Sequence, residues 1–138
     1  MKGVLGLLAG IVAGALVMML IGYVGTTLYP LHVPADPSDR QALIEGVKAA
    51  PAGAQISVLL AWFLGTFAGA AVAKLLSGAA WPGWTIAGVL AALLAFLFFI
   101  PLPIWLQTLA PISPLLGAAA ADILIRRRAA APASDGQA

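Results

Sequence analysis

The run from Val4 to Val24 holds no ionisable side chain, and it constrains the fold of this chain more than any other feature. As a helix rising about 1.5 Å per residue it would reach roughly 31 Å, which matches a hydrocarbon core of about 30 Å. The chain as a whole agrees. Of its 138 residues 62% are hydrophobic and 9% charged, and the mean hydropathy is +1.04. Ordinary water-soluble domains do not reach such values, because they need polar surface on all sides. The start Met1-Lys2 with an apolar run behind it resembles a secretory leader. The run is longer than the apolar core of a usual leader, however, and no small-x-small cleavage site follows near Thr26 or Thr27, so it is expected to stay as a membrane helix.

Three further apolar segments follow, giving expected spans at 4–24, 56–76, 84–100 and 105–125. The first carries Gly6, Gly10 and Gly14, and the second carries Gly65, Gly69 and Ala73, each set at four-residue spacing. Such spacing aligns small residues along one stripe, where a neighbouring backbone can approach closely; lipid supplies no hydrophobic drive for helix association, so this packing is the main use of such stripes. Lys74 at the end of the second segment reads as a residue snorkelling to headgroups. A turn with Ser77, Gly78, Trp81, Pro82 and Trp84 marks an interface. The third segment ends in Phe96, Phe98 and Phe99 before a reversal at Pro101 and Pro103.

The fourth segment contains Pro111 and Pro114, which would free the carbonyls of Gln107 and Ala110 from their helical partners. A kink or opening is expected there, with Gln107, Thr108, Pro111, Ser113 and Pro114 as the candidate polar pocket, although neighbouring hydroxyls can also satisfy such carbonyls. Between the first two spans, residues 25–55 form the main external loop. In it Asp36 can cap a short surface helix with Pro37 in the first turn and Leu43 and Val47 on one face. Residues 129–138 read as a disordered cytoplasmic tail.

Charge sets the orientation. Lys2, Lys74 and Arg126, Arg127 and Arg128 belong to one side, whereas the long loop has three acids against two bases. The basic side is expected to be cytoplasmic, with both termini there. The fold class is therefore all-α, a polytopic membrane protein of four transmembrane helices paired as two hairpins. Gly69-Ala-Ala-Val-Ala-Lys-Leu-Leu and Gly117-Ala-Ala-Ala-Ala-Asp-Ile-Leu resemble each other and close the second helix of each hairpin, a weak sign of duplication.

The residue inventory restricts the chemistry. The chain has no Cys and a single His, His32 in the proline-rich loop, so neither thiolate chemistry nor a nitrogen- and sulfur-ligated metal site is implied. Asp36 and Asp39 do not have the spacing of a calcium loop. The net charge of +2 could suggest nucleic acid, but its only basic cluster, Arg126 to Arg128, directly follows an apolar segment and reads as a membrane anchor. Asp122 is the only acid on an apolar segment, with Arg126 four residues on as its expected ion partner. An exporter of the small multidrug-resistance type is disfavoured, since it would want an acid in the first helix.

The glycine-rich first helix, Asp36-Pro37, the Leu64-Gly65-Thr66 step with Gly69, and Pro101-Leu-Pro-Ile-Trp105 together resemble small uncharacterised four-helix bacterial inner-membrane proteins. The resemblance implies topology and a bacterial inner-membrane location but no activity. Relatives often have a histidine just before the Leu-Gly-Thr step, where this chain has Trp62-Phe63, so no role of that histidine transfers. The expected function is a non-enzymatic structural or accessory subunit without cofactor, partnered by the lipid bilayer and by further copies of itself or another membrane protein. The runner-up is a small oligomeric transporter or channel component with the proline-broken fourth helix near its pathway. A lipid-handling role rests on the surface helix and the basic end.

Overall fold

Helix starts and stops follow from a few residues. Asp39 accepts hydrogen bonds from the backbone N–H of Gln41 (3.0 Å) and Ala42 (3.1 Å) and so caps the loop helix. The cap is thus Asp39 and not Asp36, which instead folds back on Ser38, accepting from its N–H at 2.9 Å and its hydroxyl at 2.6 Å. Both aspartates can accept from the residue two places on; Asp39 wins the cap because its carboxylate also reaches the third N–H. At the other end of the next helix Gly78, with φ of 73°, adopts the left-handed conformation open to glycine, and its N–H returns to the Lys74 carbonyl at 2.8 Å. Pro82 then stands in the first turn of the following helix, where its missing N–H costs nothing.

The computed structural model describes residues 1–30, 36, 38–99 and 103–130. Among these the chain is all-helical, with α1 (Lys2–Leu28), α2 (Arg40–Ala49), α3 (Ala52–Ser77), α4 (Trp81–Ala95), a 3-10 turn (Phe96–Phe99) and α5 (Ile104–Ala130). Three of them, α1, α3 and α5, are long and apolar enough to cross a membrane, and α4 is a shorter apolar helix. His32, Pro34, Pro37, Pro101 and the tail from 131 onward lie outside the described residues.

Small residues make the contacts. Along α1 and α3, Gly6 meets Ala73, Gly10 meets Gly69, and Gly14 meets Gly65, so the two helices run antiparallel with their glycine stripes facing. A Cβ placed on Gly10 would lie 2.5 Å from the Gly69 carbonyl oxygen, and one on Gly69 would lie 2.7 Å from that of Gly10. The backbones are therefore in contact with no side chain between them, a distance at which Cα–H groups reach the facing carbonyls. On its other side α3 meets α4 and α5 at Ala70, Ala87, Ala118 and Ala121, the buried alanine cluster of the bundle. Gly83 of α4 fits over Ala70, and Gly117 of α5 fits over the Phe63 carbonyl, where a Cβ would stand at 2.5 Å. Helix α3 is thus the central element, touched by α1, α4 and α5.

The outer surface is the reverse of a soluble protein's. Ala73, Ala87 and Ala110 are fully buried, whereas Leu16 and Leu20 are 62% and 64% exposed. Bulky side chains turned outward over an interior of Gly and Ala suit a lipid solvent, in which only close backbone packing favours helix association.

Candidate functional site

Three ionisable residues of the long apolar helices, Lys74, Asp122 and Arg126, meet at one place. Because Gly117, Ala118 and Ala121 bring α5 close to α3, and because these two helices run parallel, Asp122 comes level with Lys74. The Lys74 ammonium bonds the Asp122 Oδ1 and also donates to the Asp122 carbonyl oxygen at 3.3 Å. The second carboxylate oxygen accepts from Arg126 at 2.8 Å, as the i,i+4 spacing implied. The Lys74 and Asp122 side chains are only 15% and 14% exposed, against 70% for Arg126. Lys74 therefore does not snorkel outward as expected from its terminal position. Aimed across the bundle, its stem reaches a carboxylate that the alanine packing has brought within range.

A second feature lies on the opposite flank. Helices α1 and α4 run side by side and touch where Gly3 lies against the Trp81 ring and where Gly10 lies against Ile86. Beyond these contacts they leave a lateral cleft of about 350 Å³, walled by Leu7, Ile11, Met18, Ile86, Val89 and Leu93, with Gly14 and Gly65 on its floor. Another apolar cleft, of about 270 Å³, separates α3 and α5 and is bounded by Phe63, Leu109, Ile112 and Ser113 among others.

The proline-containing stretch is not opened. Helix α5 runs unbroken from Ile104 to Ala130 with Pro111 and Pro114 inside it. The Ala110 carbonyl, which Pro114 leaves without its helical donor, accepts from the Ser113 hydroxyl at 3.3 Å, and Pro114 is itself fully buried against the bundle. Thr108 likewise turns its hydroxyl to its own helix, donating to the Ile104 carbonyl at 2.9 Å. Gln107 and Pro111 are half-buried. The five residues share one stretch of α5, and of these Ser113 reaches the α3/α5 cleft. The five glycines named from their spacing, Gly6, Gly10, Gly14, Gly65 and Gly69, all lie in the α1–α3 seam.

One functional-looking residue escaped the sequence reading. Gln55, 8% exposed, donates from its amide nitrogen to the carbonyls of Val47 (3.3 Å) and Ala50 (3.2 Å), tying the end of α2 to the start of α3. A lone glutamine at a helix start carries no sequence signal for this. The Lys74–Asp122 pair did have one, since both residues occupy the sixth position of the two similar octapeptides.

Outside the apolar helices, the Ser38 hydroxyl and then its N–H hold the Asp36 carboxyl below the ordinary 3.8. Among the described residues no three His, Cys, Asp or Glu side chains gather as a metal site would require. The chain matches no known family model, no curated protein and no solved structure.

Proposed function

We propose that this chain is a four-span, non-enzymatic membrane protein serving as a structural or accessory subunit, with both termini on the cytoplasmic side of a bacterial inner membrane. The fourth span is supplied by α4 with the 3-10 turn. Fifteen residues at about 1.5 Å and four at about 2.0 Å give roughly 30 Å, enough for the hydrocarbon core. The orientation is supported by the position of the basic residues. Lys2, Lys74, Arg126, Arg127 and Arg128 stand at the same end of the bundle, as the contacts Gly6 to Ala73, Gly3 to Trp81 and Lys74 to Asp122 require.

The observation that carries the functional reading is that Lys74 and Asp122 pair within the bundle while the glycine stripes are spent within the chain. Open to interaction is the broad apolar flank of α1, with Leu5, Leu8, Val12, Leu16 and Met19 turned outward. Assembly then runs through side chains of that flank. The test is native mass spectrometry of the tagged protein from nanodiscs made of its own membrane. An assembly of fixed stoichiometry, weakened by Leu8→Ala with Leu16→Ala, supports the subunit role; a monomer under all conditions contradicts it.

A further inference from the structure

We infer that the cleft between α1 and α4 holds one acyl chain of an anionic phospholipid, whose phosphate rests at the basic end of the bundle. The inference rests on the four-span reading above. From Leu7 to Met18 the cleft follows eleven steps of α1, roughly 16 Å, which is about half of a 30 Å hydrocarbon core and so the depth of one leaflet's chain.

The walls suit a flexible lipid chain. Wherever helices meet in this molecule the contact is made by Gly or Ala, at Gly10 and Gly69, Gly83 and Ala70, or Gly117 and the Phe63 backbone. The cleft walls are mostly Leu, Ile, Val and Met, with Gly14, Ala15 and Gly65 also lining it. A flexible acyl chain can follow the gaps between such side chains. The end of the cleft supplies the headgroup chemistry. One helical turn beyond Leu7, α1 and α4 meet at Gly3 on Trp81, which is 51% exposed, and the neighbouring residue is the exposed Lys2. Arg127 and Arg128 are exposed at the same end, and Asp122, the acid there among the described residues, is already paired. A basic end of this kind attracts anionic headgroups, and an indole suits the headgroup level.

The experiment is native mass spectrometry of the full chain in detergent, titrated separately with phosphatidylglycerol and phosphatidylcholine of identical acyl chains. Ala15 lines the cleft, so Ala15→Phe fills it; Ile123→Phe adds the same ring to the outer surface of α5. One phosphatidylglycerol should be retained about tenfold more tightly than phosphatidylcholine, Ala15→Phe should lose most of that retention, and Ile123→Phe should keep it. Lys2→Gln should abolish the headgroup preference while leaving one lipid bound, a readout that holds even where Ala15→Phe folds poorly. Equal retention of the two lipids, equal effects of the two phenylalanines, or release of a second copy of the chain by Ala15→Phe would each overturn the inference. Failure of the four-span reading would appear elsewhere, in the sidedness of Ala79→Cys and Arg127→Cys to thiol reagents, which lipid occupancy does not alter.

Discussion

Lys74 on α3 and Asp122 on α5, 48 residues apart in the chain, are joined by a direct ion pair that lies at the same position of two similar octapeptides. The pair fixes the register of the two parallel helices at one end, while alanine packing holds them along their length. Charges in so sheltered a place are stable only because each finds a partner.

Removing one partner should cost more than removing both. A fully buried pair loses about 3–5 kcal/mol when broken, and these side chains keep some exposure, so Asp122→Asn should fall somewhat below that range. Lys74→Met should cost less than Asp122→Asn, because Asp122 retains Arg126. The double variant Lys74→Met with Asp122→Leu should recover much of the loss. Denaturation in mixed micelles measures all three.

The glycine seam predicts a sharp contrast between positions. Gly10→Val and Gly69→Val place a side chain where a carbonyl already stands, and each should destabilise by at least about 1–3 kcal/mol. At Gly22 and Gly88 nothing lies within 4 Å of an added Cβ, so Gly22→Ala and Gly88→Ala should be neutral or stabilising by up to about 1 kcal/mol. Melting temperatures of the four variants would show whether the seam holds the bundle together.

Gln55→Leu should release α2 locally. Its amide bonds to the Val47 and Ala50 carbonyls would be lost, at about 1–2 kcal/mol, and hydrogen exchange should speed up over 40–49 while α3 stays protected. Unchanged exchange in α2 would mean that something other than Gln55 positions it.

The Asp36 turn should depend on pH in a defined direction. Its carboxyl is held below the ordinary 3.8 in the folded loop, so the contribution to stability is present above that value and is lost as pH falls through the lower, folded one. Ser38→Ala should raise the Asp36 carboxyl toward 3.8, read from its side-chain chemical shift.

The periodic features of the sequence carried over into the structure, and the long-range ones did so only in part. Four-residue spacing of glycine in α1 and α3 specified the seam, because a stripe of small residues in a helix has one physical use that is common. The surface helix was visible from Leu43 and Val47, yet its start was misplaced from Asp39 to Asp36, since two aspartates three residues apart offer the same capping chemistry. Pro111 and Pro114 imply a kink or an opening, or carbonyls satisfied by neighbouring hydroxyls; α5 runs unbroken through both, and the hydroxyl of Ser113 fills one vacant acceptor. The inward turn of Lys74 depended on which helix stands beside α3, and terminal position alone pointed the side chain outward.

The central claim, that α4 completes a fourth crossing, is tested most directly by thiol labelling, since the chain contains no Cys of its own. Single variants Gln41→Cys, Ala79→Cys and Arg127→Cys would be treated with a membrane-impermeant reagent in intact cells and again after permeabilisation. The account predicts that Gln41→Cys labels from outside and that Ala79→Cys and Arg127→Cys label only after permeabilisation. Labelling of Ala79→Cys and Arg127→Cys from opposite sides would contradict it.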